Sequence, residues 1–163
     1  MALTRAPNAP RTIDDFMGKI LVVCPRCSGM ATVNSRGGFG LARLACELCG
    51  SAQSKDVRTY SLGSADDPYF GLPLWLQAPC STQTLWAYNS EHLLFLKQYI
   101  GATDRRRPIR SPIDPLNRLL ASRLPKWMQL SKNRDQILKV IATIETKLVR
   151  PLNKLRILAA RVF

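Results

Sequence analysis

The sequence predicts an α+β fold, in which a small β-rich module bearing four cysteines is followed by a basic α-helical C-terminal region. Three observations predict it. Two C-x-x-C pairs, Cys24/Cys27 and Cys46/Cys49, enclose short alternating and apolar runs broken by Gly-rich turns. A proline- and aromatic-rich stretch over residues 61–88 reads as packed connector or extended strands. From residue 90 onward the apolar residues recur at helical spacing, and the C-terminal third, residues 101–163, carries 15 basic against 4 acidic side chains.

Taken in order, residues 1–19 read as a flexible tail, with Pro7 and Pro10 and no apolar periodicity. Residues 20–62 form the cysteine module. ILVV leads into the first pair, ATV and LARLA flank an NSRGGFG turn in which Gly37 and Gly38 supply the positive-φ positions of a hairpin, and KDVRTYSL supplies a third strand. Residues 63–101 comprise the aromatic connector and a short helix, EHLLFLKQYI, with Ser90 as its cap and Gly101 at its C-terminus.

Residues 102–163 make up the basic helical region. TDRRRPIRSPIDP is a linker, and Asp114 with Pro115 starts the helix LNRLLASRL, which Pro125 ends. Asn133 caps the next helix with Gln136 three residues on, and Ile137, Ile141, Ile144 and Leu148 form one apolar face. Pro151 is expected to end or kink that helix, and LNKLRILAARVF repeats the pattern beyond it.

The chemistry is concentrated in the cysteines. Eighteen residues separate Cys27 from Cys46, so a hairpin can return the second pair to the first and close a tetrahedron of thiolates. A shell filled by four protein sulfurs leaves no position for water or substrate, which makes the expected ion structural rather than catalytic. Zn²⁺ is the expected cofactor, with iron its competitor because Cys₄ tetrahedra accept both. A thioredoxin-like role for CPRC would have no use for CELC. Cys80 is the fifth cysteine and stands alone.

Together with DPYFGLPLWLQ, TLWAYNSEHL and LPKWMQLSKNRD, the pattern CPRC…CELCG makes residues 20–148 resemble uncharacterised bacterial proteins that contain a zinc ribbon of the transcription factor IIB type. The resemblance implies the ribbon fold and Cys24, Cys27, Cys46 and Cys49 as zinc ligands. Zinc ribbons serve as nucleic-acid-binding modules and equally as docking modules for other proteins, so the fold does not choose between those uses.

Charge chooses a first expectation. The 163-residue, 18.3 kDa chain has 24 Lys and Arg against 11 Asp and Glu, a net +13, and a sequence pI near 10.2. A polyanionic partner follows, and nucleic acid is the expected one, as DNA or RNA. The candidate contacts are Arg105, Arg106, Arg107 and Arg110, then Lys126, Lys132 and Arg134, with Arg36 and Arg43 adding a basic face on the ribbon. The alternative is an adapter that docks through its ribbon onto a transcription, replication or translation complex. Peripheral contact with an anionic membrane is a third possibility, carried by the basic amphipathic helices. No small-molecule substrate is expected.

The chain is expected to be non-enzymatic. Cys80 and the single His92 have no acid partner in view, Asp66 and Asp67 read as turn caps in GSADDP, and the Gly-rich turn lacks the Lys and Ser or Thr of a P-loop. Tyr69, Phe70, Trp75, Trp86 and Tyr88 are expected in the core rather than stacked on bases. The opening MALTRAPNAPRT contains no apolar signal core, and a cytoplasmic location is the expectation.

Overall fold

A computed structural model describes residues 11–102 and 120–159. β1 (Lys19–Val23), β2 (Met30–Asn34), β3 (Gly40–Ala45) and β4 (Ala52–Val57) form an antiparallel meander in the order β1-β2-β3-β4. Alternation along the strands gives the sheet two unlike faces. Ile20, Val22, Ala31, Val33, Ala42 and Leu44 are buried on one face. Lys19, Asn34, Arg43 and Ser54 lie opposite one another in register on the other face.

The two edges also differ. β1 is covered: Leu21 N donates to Tyr88 O, Val23 N to Pro73 O, and Leu21 O accepts from Trp75 N. β4 is exposed at five of its six residues.

β5 (Leu76–Cys80) and β6 (Gln83–Ala87) make a two-stranded hairpin, which leads into α1 (Ser90–Gly101). Short helices α2 (Leu120–Arg123) and α3 (Lys126–Gln129) precede α4 (Arg134–Ala159). α4 packs against α1 and β5. The periodic face read from its sequence is the face that packs, since Ile137, Ile141 and Ile144 are fully buried and Leu148 is half-buried. One hydrophobic cluster runs from the sheet through the hairpin to these helices. Tyr69 and Tyr88 are buried in it, with Phe70, Trp75 and Trp86 packed against its margin, as expected of the connector aromatics.

Several expectations are corrected. Of the tail assigned to residues 1–19, the described part is built into the fold: Ile13–Phe16 is a 3-10 turn, and Phe16 and Met17 are buried. The strand expected at KDVRTYSL is β4, Ala52–Val57, which starts three residues earlier and ends at Val57, because it pairs residue for residue with β3 from Ala45↔Ala52 to Gly40↔Val57. Asn89, not Ser90, caps α1. Its Oδ1 accepts from His92 N at 2.9 Å while its Nδ2 donates to the carbonyls of Phe16 and Lys19, so one amide starts the helix and ties it to the chain entering β1. The helix expected from Pro115 is described only over Leu120–Arg123.

α4 continues through Pro151, so of the end or kink expected there the end does not occur. Proline has no N–H to give the carbonyl four residues back, which is that of Lys147. The indole Nε1 of Trp75 donates to that carbonyl at 3.3 Å. The side chain of Lys147 donates to Gln77 O at 2.5 Å and to Trp75 O at 3.4 Å, and burial pushes its ammonium below the usual lysine pKa. The same residue thus fastens the helix to Trp75 through its backbone and to Trp75 and β5 through its side chain.

Candidate metal centre

Cys24 follows β1, Cys46 follows β3, and each begins a tight knuckle at the same end of the sheet. The two knuckles are built alike. Cys24 N donates to Gly29 O and Ser28 N to Cys24 O; Cys46 N donates to Ser51 O and Gly50 N to Cys46 O. In both, the residue four after the first cysteine has a left-handed backbone, Ser28 at φ 58° and Gly50 at φ 69°. Gly29 has a different role: a Cβ there would collide with the Leu48 side chain and come into contact with the Cys27 sulfur. Gly29 is therefore where one knuckle rests against the other.

This geometry gathers four sulfurs within 4.8 Å of one another, with Cys24 Sγ to Cys49 Sγ at 3.7 Å and Cys27 Sγ to Cys46 Sγ at 3.6 Å. A tetrahedral ion with bonds of about 2.3 Å to sulfur sets its ligands about 3.8 Å apart, so the donor set can hold a metal ion without rebuilding the knuckles. Cys24 and Cys46 are buried, Cys49 is intermediate and Cys27 is exposed, which places the cluster at the surface with its inner side against the core.

The electrostatics of the metal-free thiols are uneven. Burial pushes the Cys24 thiol up, but hydrogen bonds from the Cys27 and Arg26 amides and from the neighbouring thiols outweigh it and bring the group down to about 7. For Cys27 the Gly29 amide lowers the pKa, while burial and the thiols of Cys46, Cys49 and Cys24 together push it up to about 12. Four thiolates at this separation repel one another, and a divalent cation relieves that repulsion while displacing the protons.

The structure places the predicted cations in different settings. Arg36, at the β2–β3 tip, and Arg43, on β3, are exposed, as are Lys126 and Lys132. Arg134 is half-buried and its Nη2 donates to Ala102 O at 3.1 Å, where it ties the start of α4 to the end of α1. Arg105, Arg106, Arg107 and Arg110 lie outside the described residues.

The remaining titratable candidates are buried in the fold. His92 is buried, its ring stacks on Phe16 with centroids 4.8 Å apart, and its Nδ1 accepts from Tyr88 N at 3.2 Å. Burial lowers its pKa to about 3, so the ring is neutral and its acceptor nitrogen is used. Cys80 is buried at the end of β5, and burial raises its thiol pKa. Asp67 is the turn cap expected from GSADDP: Oδ1 accepts from Tyr69 N and Phe70 N, and Oδ2 from Leu72 N at 2.7 Å.

Phe39 escaped the sequence reading. It is 70% exposed at the hairpin tip, with its ring against Tyr60 at 5.3 Å. The signal that finds it is local, an aromatic residue in a run of glycines at a turn. No protein-family model, curated protein or solved structure matches the chain. Among the described residues, no helix is long and apolar enough to cross a membrane.

Proposed function

We propose that this chain is a zinc-ribbon protein that binds nucleic acid and does no chemistry on it. Zinc is the ion best matched to four thiolates in a closed tetrahedral shell, and its role in such a shell is to hold the fold. An ion with all four positions taken by protein has no vacancy at which to activate water. Zn²⁺ with four thiolates carries a net charge of −2, which leaves the +13 chain strongly basic.

The observation that carries the nucleic-acid reading is the set of cations without internal use. Lys19, Arg36, Arg43, Lys126 and Lys132 are exposed, and none forms an ion pair with a described residue. Exposed cations that repel one another gain most from a phosphate backbone, which releases its condensed counter-ions when they bind. Specificity would come from elsewhere, because phosphate contacts position a protein and do not read sequence.

Two measurements test the reading. Intact-mass spectrometry under native conditions should find one Zn²⁺ per chain. Binding of the zinc-loaded full chain to labelled DNA and RNA probes should weaken steeply with salt, and replacing Arg105, Arg106, Arg107 and Arg110 together by Gln should flatten that dependence. Absence of binding to every probe at physiological salt overturns the nucleic-acid reading and turns the search to protein partners of the ribbon.

A further inference from the structure

We infer that the cavity between the β5–β6 hairpin, α1 and the α2–α3 turn binds a small, uncharged, largely apolar molecule whose hydrogen-bond acceptor, a carbonyl or a ring nitrogen, meets the Nε2 proton of His92. The site goes beyond the nucleic-acid reading and does not depend on it.

The inner wall is made of apolar residues that the hairpin and helices turn inward. Leu85 comes from β6, Leu96 from α1, Leu120 from α2, Leu124 from the turn after it and Met128 from α3. All five are buried, and all line one volume of about 660 Å³. Protein interiors otherwise pack to the density of organic crystals, and a void of hundreds of cubic ångströms is the size of a ligand site. Thr82, Gln83 and Thr84 line it too and are exposed at the hairpin turn, so the cavity has a way to solvent.

His92 supplies the polar point. Its Nδ1 accepts from Tyr88 N at 3.2 Å and the ring is neutral, so the proton is on Nε2. Among the described residues no acceptor meets that N–H. Nor is it sealed in. The buried side-chain atoms left without partners among the described residues are the Tyr69 and Tyr88 hydroxyls and Arg134 Nε, whereas the 2% of His92 that stays exposed opens on the cavity it lines. Buried donors are nearly always paired, so a donor on a cavity wall with no internal acceptor is where a ligand's acceptor fits. The ring is clamped as well: Phe16 stacks on it with centroids 4.8 Å apart, and Trp86 meets it at 85° and 5.9 Å. The donor is therefore held in place before anything binds.

Charge decides the class of ligand. Among the described lining residues Arg123 carries the sole formal charge, and it is exposed, so the inner wall is neutral. Burial pushes the His92 pKa down to about 3, and a carboxylate or ammonium placed beside the ring would meet the same penalty. A carbonyl or ring nitrogen escapes it and still accepts the proton. Trp86 and Trp127, both half-buried on the lining, add indole surface that suits a planar apolar body.

The test titrates the zinc-loaded full chain with prodan, an uncharged planar naphthalene fluorophore bearing one ketone, and with dimethylaminonaphthalene, which lacks the ketone. We expect saturable binding of one prodan per chain, with amide shifts in proton–nitrogen correlation spectra grouped on Leu85, His92, Leu96 and Leu124. H92F should weaken prodan about ten-fold, the share of one neutral hydrogen bond, and leave the weaker binding of dimethylaminonaphthalene unchanged. Native amide dispersion and unchanged zinc content show that H92F is folded. If it is not, the wild type decides: the His92 Nε2 shift should move with prodan and stay still with dimethylaminonaphthalene, and an Nε2 shift unmoved by prodan overturns the proposal. Failure of prodan to saturate up to its solubility, amide shifts away from the cavity, or an equal effect of H92F on both probes overturns it too. Each of these results leaves the nucleic-acid reading standing.

Discussion

The cysteine end of the four-stranded sheet and the helix-bearing half of the molecule are stabilised by different means. On the helical side, α1 and α4 bury a periodic apolar face, and the interior is continuous from Leu93 and Ile100 to Ile144. At the cysteine end of the sheet, Pro25, Arg26, Cys27 and Ser28 are all exposed, as are Glu47, Leu48 and Gly50. Two knuckles of this kind have little apolar surface to bury. The contrast teaches that a metal ion can stand where a core cannot reach, and it predicts that the two regions fail under different insults.

The largest effect should come from removing the metal. Structural zinc sites contribute on the order of 10 kcal/mol to folding, so chelation, or Cys46→Ser, should release the knuckles. Hydrogen exchange read by mass spectrometry should show protection lost over residues 24–51 while α1 and the start of α4 remain protected. Equal loss in both regions would show that the distinction is false. Acid should act in the same direction, because protons compete with the metal for sulfur.

Ile141→Ala reverses the pattern. It should cost about 2–5 kcal/mol in denaturant unfolding through the cavity it leaves, with metal stoichiometry unchanged in the folded protein. Asp67→Ala strands three amides on the loop that leads to β5 and should cost about 2–3 kcal/mol, with no effect on metal content.

A further effect depends on pH. His92 has a folded-state pKa near 3 against 6.5 in the unfolded chain, so the unfolded state binds the extra proton between those values. The stability contributed by the neutral ring is complete above pH 6.5 and is lost as pH falls toward 3, at up to about 1.4 kcal/mol per unit. Subtracting the pH slope of His92→Gln from that of the wild type isolates this term from acid release of the metal. Equal slopes would mean that the ring is not held neutral.

The smallest effect concerns the helix beyond Lys147. Trp75→Phe removes the donor to the Lys147 carbonyl and should cost about 1–2 kcal/mol. In a Pro151→Ala background the helix supplies its own N–H to that carbonyl, so the same change should cost less. A double-mutant cycle with no coupling would show that the indole does not replace the proline's missing bond.

What was legible in the sequence was local. Cysteine spacing picked out the four thiols that the fold gathers into one cluster, Gly37 and Gly38 marked the hairpin tip, the four-three-four spacing of Ile137, Ile141, Ile144 and Leu148 named the packed face, and GSADDP announced its turn cap. Each depends on spacings within one turn, one helix or one hairpin-linked pair of knuckles, whose relation the local backbone geometry sets. Arg134 and Lys147 illustrate the limit. Sequence offers both as cations of a basic helical region, and in the structure Arg134 holds a carbonyl of the α1 end while Lys147 holds the carbonyls of Trp75 and Gln77, at and just before the start of β5. A cation's sequence neighbours do not reveal which distant carbonyl lacks a donor.

The sequence by itself therefore determined which four cysteines form the cluster, the α+β order of elements and the strong positive charge. Only the tertiary structure decided that Phe39 stands in solvent while Tyr69 and Tyr88 do not, that Asn89 joins α1 to the first strand, and that α4 passes through Pro151. The physical reason is the same in each case. Exposure and hydrogen-bond satisfaction depend on partners far along the chain, as with Trp75 and Lys147, 72 residues apart, and folding alone brings them together.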